Sequence, residues 1–519
     1  MLQKKIELIS DSAVLNLAFD TIKIKKQALV FVNTKSSAEK TAEEISKKLS
    51  DDPNSIELSE KILNSLSRPT VQCERLAKCV KKNVAFHHAG LTHSQKELIE
   101  DSFREGKIRI ICCTPTLAYG LDLPAFRVII KDLRRYGMHG MQWIPVLEYM
   151  QQAGRAGRPR FDSYGEAIAI SQTEDEKNKI KEKYIEGEAE EIYSKLAVEP
   201  VLRTYLLSLI ATNFVNTKKN IFDFFEKTFW AFQYEDMPEL GQIINKMLGL
   251  LQNWEFIKEI GNEQDFVSAN EIGKEGYEAT IIGKRVAELY IDPLTPHHII
   301  TCLKNSLRKE TNEISFLQMI SNTLEMRPLL NVKTKEWDEL QESIGKFQDS
   351  FLENEPSLYD PLYEEFINSV KTALFFNDWI DEKDEVFLLE KYSTRPGEIR
   401  VKLGNAEWLL YASEELSKLL NFKKSLKEIL KLKFRIKYGV KEELFALLKL
   451  EGIGRVRART LFKNGIKDIG DVKNADITKL IQLLGKNTAL KVKGQVGQDF
   501  SKIKIKENKR KGQINLNDF

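Results

Sequence analysis

At 519 residues the chain is too long for one hydrophobic core and is expected to divide into several domains. Its 79 basic and 76 acidic residues nearly cancel, which excludes a globally basic coat and leaves local clusters as the only source of a nucleic-acid surface. No apolar run approaches the roughly 18 residues of a membrane span, and "MLQKKIELIS" lacks a signal-peptide core, so a soluble, intracellular (cytoplasmic) protein with no membrane partner is expected.

Cys73, Cys79, Cys112, Cys113 and Cys302 form no CxxC pair and read as reduced core thiols, with no metal site. From residue 28, short apolar runs alternate with helical stretches, as in parallel βαβ units. "ALVFV" (28–32), "VAFHHAG" (84–90), "IRIICCT" (108–114), "RVIIK" (127–131) and "GEAIAIS" (165–171) are the predicted strands. Ser36 with Glu39, and Thr92 with Gln95, have the spacing of capping boxes that open helices. The fold class predicted here is an α/β parallel sheet, with its motif-bearing segments after the strand ends.

Three of those segments carry chemistry. "TPTLAYGLDLPA" (114–125) is a predicted loop in which Thr114, Thr116, Gly120 and Asp122 offer hydroxyl and backbone groups to phosphate or ribose. "RVIIKDLRRYGMHGMQWIPV" (127–146) has two β-like runs flanking "RRYGMHGM". Gly137 and Gly140 allow a tight reversal there, with apolar bulk from Tyr136, Met138, Met141 and Trp143. "QQAGRAGRPR" (151–160) places Arg155 and Arg158 among glycines, near Gln151 and Gly154, a pattern that grips phosphate.

Residues 191–290 mix helices with Gly-punctuated segments, and 291–425 are helical in rhythm. Pro396 is placed to begin a long helix that presents Arg400, Lys402 and Trp408. Residues 423–441 hold eight Lys or Arg and one Glu, either a phosphate track or a solvated basic helix. "LEGIGRVRARTLF" (450–462) then has the Gly452-Ile453-Gly454 turn of helix-hairpin-helix modules, followed by Arg455, Arg457 and Arg459. The tail 501–519 is too polar to fold alone. In it Gln513, Leu516 and Phe519 match the order of peptides that dock on sliding clamps; the alternative is a basic DNA-binding tail.

Together with "ALVFVNTKSSAEKTA", "LSRPT", "VAFHHAGL" and "IGKRVAELYIDPLTPHH" (282–298), these segments resemble motifs IV to VI of superfamily 2 helicases, in wording closest to archaeal Hjm-type DNA repair helicases. The resemblance implies a second RecA-like domain (1–190), a winged-helix domain (191–290), a ratchet-like helical bundle (291–425), a helix-hairpin-helix domain (426–500) and the tail (501–519). It further implies that Arg155 and Arg158 face the triphosphate of ATP, that Gln151 orders that site, and that Gly120, Asp122 and Gly154 belong to the nucleotide's surroundings. A hairpin with Tyr136 and Met138 would wedge the duplex, the Pro396 helix would contact the single strand, and Arg457 and Arg459 would act as a DNA brake. Val401 departs from the family, which tends to have a basic residue there.

No G-x-x-x-x-G-K-[ST] cradle occurs in the 519 residues. "LLGKNT" (483–488) and "IGKR" (282–285) lack its elements, and "DEKD" (381–384) follows "NDWI" rather than a β-branched strand, which reads as a solvated helix end. The resemblance therefore implies that ATP and Mg are shared with an N-terminal RecA-like half or subunit, and that these residues alone do not hydrolyse ATP. The expected activity is 3′ to 5′ unwinding of forked DNA with a single-stranded arm. Competing readings are a non-catalytic DNA-binding protein and an RNA helicase of related architecture.

Overall fold

The computed structural model describes residues 5–66, 69–120, 122–137, 140–158, 162–260 and 276–498. Met138 and the tail positions Gln513, Leu516 and Phe519 lie outside the described residues. The chain forms two compact units, Met1–Pro293 with Asp384–Gly404, and Leu294–Lys383 with Asn405–Phe519.

In the first unit the strands are β1 (Ala28–Phe31), β2 (Val84–His87), β3 (Ile110–Cys113), β4 (Arg127–Ile130), β5 (Arg134–Gly137), β6 (Gly140–Trp143) and β7 (Glu166–Ala169). Five of them form a parallel sheet in the order β2-β3-β1-β4-β7. β1 to β4 are buried along their whole length, as strands covered on both faces must be, which is why they read as mainly apolar runs. Two polar residues interrupt these strands, His87 at the end of β2 and Arg127, fully buried, at the start of β4. The Arg127 guanidinium is satisfied by Asp20, Glu166, Thr21 and the Leu17 carbonyl. All five cysteines are free and buried.

Thr92 and Gln95 do form a capping box at the helix His93–Arg104. The Ser36–Glu39 box is corrected: the helix Lys35–Lys47 starts earlier, with Thr34 as its N-cap accepting from the Ser37 N–H at 3.1 Å. Ser36 is then already inside the first turn, and Glu39 is freed from capping and turned into the protein. A second correction concerns 114–125. Part of the predicted loop is a short helix, Thr116–Gly120. A third concerns the hairpin, whose strands take in most of "RRYGMHGM": β5 pairs antiparallel with β6, Tyr136 opposite Met141 and Gly137 opposite Gly140.

Beyond the sheet, helices Glu199–Ala211, Met237–Asn253 and Ile281–Glu288 pack with the antiparallel pair β8 (Ile257–Ile260) and β9 (Gly276–Ala279), the makeup of a winged helix. Gly283 of "IGKR" is a packing glycine here. A Cβ at that position would come within 1.8 Å of the Phe256 carbonyl oxygen.

In the second unit, helices Leu294–Asn305, Glu313–Ser321, Tyr363–Ile380 and Lys423–Tyr438 form a bundle, with Ile314, Phe351, Phe366 and Val370 in one of its cores. Helices Arg455–Lys463, Ile477–Leu484 and Lys486–Gln495 close a separate small core around Leu447, Leu461, Leu480 and Val492. The helix Pro396–Leu419 begins at Pro396, as the sequence predicts, and contributes residues to both units. Among the described residues no helix is long and apolar enough to cross a membrane.

Candidate nucleotide and DNA interface

Chain path decides which side of the sheet each motif reaches. β3 delivers Thr114 and Thr116 to the carboxyl edge, where Thr114 is buried, Thr116 is exposed, and their hydroxyls are 2.9 Å apart. The chain then returns along the helix Thr116–Gly120 to the amino edge, where Ala125 pairs with Ala156 just before β4. β4 leads back to the carboxyl edge and the hairpin, and the helix Val146–Ala153 crosses once more to the amino edge.

Arg155 and Arg158 therefore stand at the amino edge, not after a strand's carboxyl end. The segment 151–160 follows a helix, as expected, and so departs from the strand-end position of the other motif-bearing segments. It is fixed there by the Gly157 N–H to the Ala125 carbonyl, 2.7 Å, and the Ala125 N–H to the Arg155 carbonyl, 2.9 Å. Gly157 has φ +96°, a left-handed conformation that favours glycine, and lies against Gly165.

Both guanidiniums are half-buried. Arg155 donates to the Ala118 carbonyl at 2.5 Å and lies 3.6 Å from the exposed carboxylate of Asp122. Arg158 bonds the buried Asp162 at 2.7 Å and the Gln27 side-chain oxygen at 2.6 Å. The Arg158 hydrogen bond holds the Asp162 carboxyl below the usual aspartate range, against its burial, with help from Lys26. Gln151 Oε1 is buried without a partner among the described residues. The structure thus brings Arg155, Arg158, Gly154 and Asp122 to one edge, and leaves Thr114, Thr116 and the hairpin at the other. Gly120 ends the short helix between them. The Tyr136 side chain lies outside the described residues, while Met141 opposite it is exposed.

On the helix Pro396–Leu419, Arg400 and Val401 are exposed and Trp408 is half-buried. Lys402 is half-buried as well, and burial brings its pKa down to about 8, against the charge of Glu398 one turn earlier. The basic run 423–441 is partly neutralised within the protein. Arg435 is buried against Glu313, Lys433 meets Glu414, and Lys431 meets Glu428 and Glu442.

At the hairpin turn, Gly452 has φ +83° and Gly454 is the N-cap of the helix Arg455–Lys463, with no side chain capping its N–H groups. Arg455 stacks on the Trp379 ring at 4.7 Å. Arg457 is exposed and donates to the Gly452 carbonyl at 2.8 Å. Arg459 is corrected from an exposed residue to a clamped one, held between Glu382 and Glu443 with the Glu443 contact at 2.6 Å. "DEKD" does end a helix, Tyr363–Ile380, with Asp381, Lys383 and Asp384 exposed; within it Glu382 is mostly buried and receives Arg459 as well as the Lys441 N–H.

The two arginines should consequently separate in experiment. Arg457→Ala is expected to weaken single-stranded DNA binding and lower its salt slope by about one, with an unchanged thermal melt. Arg459→Ala should lower the melt by leaving Glu382 buried and short of its partner, at a cost of about 2 to 4 kcal/mol. Fluorescence anisotropy across a salt series and circular dichroism melting read the two effects. Equal behaviour of the two variants in both assays would count against this split.

Sequence reasoning missed several positions. Glu39 is buried and receives Gln72, Arg75, His88 and Arg395. Arg395 and Glu398, at the start of the long helix, are thereby tied to Glu39 and Lys35 of the sheet domain. Glu148, Tyr184 and Glu190 gather around the helix Val146–Ala153. The one available signal was the histidine pair His87 and His88 at the end of the apolar run of β2, both buried. Among the described residues, no group of three or more His, Cys, Asp or Glu is placed to hold a metal ion.

Four family models match consecutive parts of the chain: a helicase conserved C-terminal domain (9–160), a helix-turn-helix domain (165–258), archaeal helicase domain 4 (314–439) and a SAM-like helix-hairpin-helix tandem (445–494). The chain is 38% identical over 543 aligned positions to the ATP-dependent DNA helicase Hel308 of Methanococcus vannielii, covering 97% of this chain and 70% of that protein. It is 38% identical over 507 positions to the protein of the same name from Pyrococcus horikoshii, covering 96% and 67%. The corresponding protein of Methanocella arvoryzae is 36% identical over 493 positions, covering 93% and 64%.

Proposed function

Because the chain belongs to the Hel308 family of ATP-dependent DNA helicases, we propose that it supplies the arginine side of an ATP site and the DNA-handling domains of such an enzyme. The finer reading is Hjm-type 3′ to 5′ unwinding at forked DNA, with the domain limits 1–190, 191–290, 291–425 and 426–500, and a tail that docks on a sliding clamp. One observation carries the proposal: Arg155 bonds the Ala118 carbonyl and approaches Asp122, so the later part of 114–125 and the segment 151–160 share one edge of the sheet. Two fixed guanidiniums there suit the charge that develops on a transferring phosphoryl group. The phosphate cradle, the Mg ligands and the base for that transfer have no counterpart motif in the 519 residues. ATP and Mg are accordingly read as shared with an N-terminal RecA-like half.

DNA is favoured over RNA by the helix-hairpin-helix character of 445–494 and by the DNA helicase relatives, while the exposed Gly452, Gly454 and Arg457 suit a nucleic-acid phosphate at a helix N-terminus. A polypeptide of residues 1–519 is expected to bind single-stranded DNA without releasing phosphate from ATP. Addition of a Walker-bearing RecA-like half should restore DNA-stimulated turnover and unwinding of a fork. Phosphate release and gel-based unwinding measure this. Turnover by residues 1–519 alone would sink the shared-site reading, and no turnover in the mixture would favour a non-catalytic DNA-binding protein.

A further inference from the structure

The hairpin β5–β6 pairs only four residues on each strand, too little to hold a fixed direction by itself in water. Its orientation must come from its base. There the Ile144 N–H donates to the Leu133 carbonyl at 2.9 Å, and the Tyr184 hydroxyl donates to the Ile144 carbonyl at 2.7 Å. The Tyr184 ring meets Trp143 at 6.1 Å and Tyr149 at 4.8 Å, and Arg134 covers the other ring of this group, Trp143, at 4.1 Å. The base of the hairpin is therefore set against the helix Val146–Ala153.

That helix is itself held at its start. Pro145, its N-cap, brings no capping side chain. The Glu190 carboxylate takes the place, accepting from the Val146 N–H at 2.6 Å and the Leu147 N–H at 3.0 Å. In the first turn stands Glu148, 4% exposed, with the Arg135 guanidinium of β5 at 2.9 Å and 3.1 Å from its two oxygens. Glu148 also acts on Tyr119 of the helix Thr116–Gly120, whose phenol pKa is raised first by burial and then by this carboxylate. An eight-residue helix spans about 12 Å, the depth of a four-residue strand, and its far end is Gly154 followed by Arg155.

We propose that Glu148 is a positioning residue that joins the hairpin to Arg155 and Arg158, so that displacement of the arginines at the amino edge is transmitted along the helix to the hairpin at the carboxyl edge. This rests on the helicase function proposed above. The role is exerted through Arg135. The buried carboxylate is held between two elements, with Arg135 of β5 on one side and Gln152 Nε2 of its own helix at 3.5 Å on the other.

The test uses the chain assembled with a Walker-bearing RecA-like half, ATP with Mg, and a fork with a 3′ single-stranded arm. In the same preparation, phosphate release and base pairs opened are measured for the parent, Arg135→Gln, Arg135→Lys, Glu148→Gln and the Arg135→Gln/Glu148→Gln pair. Arg135→Gln and Glu148→Gln are each expected to cut base pairs opened per ATP by about tenfold, with phosphate release changed by no more than about twofold. The double variant should lose no more than either single one, and Arg135→Lys should recover most of the loss. Equal falls in both rates, additive losses, or unchanged coupling would overturn the inference while leaving the helicase reading in place. A parent without DNA-stimulated turnover would overturn the helicase reading, and this inference with it.

Discussion

Arg155→Ala is expected to lower the DNA-stimulated ATP turnover of the assembled helicase by about a thousandfold or more, the scale on which arginines that meet a transferring phosphoryl group act. Folding should hardly change. Arg155 is bonded to a backbone carbonyl and lies 3.6 Å from an exposed carboxylate, so its loss strands no buried charge. Arg158 is a poorer first choice. It is bound to Asp162, 1% exposed, and removing it leaves that carboxylate to Lys26 alone. A fall in turnover with Arg158→Ala would then mix catalysis with local unfolding. Stopped-flow phosphate release gives kcat, and anisotropy gives the affinity of residues 1–519 for single-stranded DNA, which should stay within about twofold because the basic elements at Arg400 and Arg457 lie elsewhere in the chain. A kcat within tenfold of the parent would remove Arg155 from the nucleotide site.

Most of the sheet was legible because β1 to β4 are buried on both faces and so appear as short, mainly apolar runs. Thr92 with Gln95 was legible because a capping box is a local pattern. Ser36 with Glu39 has the same spacing and misled, since spacing cannot tell a carboxylate that reaches back to its own helix start from one drawn into a buried cluster 49 and 356 residues away in sequence, at His88 and Arg395. The arginines of 151–160 were found from glycine and charge alone, yet their place at the amino edge depends on Ala125 and Ala156, which carry no sequence signal. Arg459 illustrates the same limit. Its sequence neighbours Arg455 and Arg457 suggested one exposed basic face, whereas Glu382, 77 residues earlier, takes it out of play. Local chemistry reads well from sequence, and partners fixed by tertiary packing do not.

That packing makes Glu39 the position of largest expected effect on stability. Its carboxylate is 3% exposed as a residue and accepts from Arg75 at 2.6 Å, from Gln72 and Arg395 at 3.1 Å, and from His88 Nε2 at 3.2 Å. His88 Nδ1 accepts the Gly90 N–H at 3.1 Å, which places the ring proton on Nε2, and burial lowers the His88 pKa so that it donates as a neutral ring. Burial by itself would raise the Glu39 pKa, but the His88 hydrogen bond and the charges of Arg395 and Arg75 bring it from 4.5 to about 2. A carboxyl depressed in the folded state binds more protons when unfolded, so its stabilisation is complete above pH 4.5 and is lost as pH falls toward 2. That loss amounts to about 3 kcal/mol. His88 adds to it in the same direction from higher pH, since its depressed pKa means that protonation below 6.5 opposes the fold. Glu39→Ala should cost about 3 to 5 kcal/mol at neutral pH, because Arg75 and Arg395 are left without this partner, and should flatten the acid limb. Arg395 precedes the helix Pro396–Leu419, whose Gly397 N–H donates to the Gly90 carbonyl at 3.1 Å, so the loss should appear first where that helix meets the sheet domain. Hydrogen exchange followed by peptide between pH 3 and 8 reads this directly. Peptides covering 84–91 and 395–404 should exchange faster in Glu39→Ala, whereas those of 445–494 should not. Parallel acid profiles for parent and variant would show that Glu39 does not hold this joint.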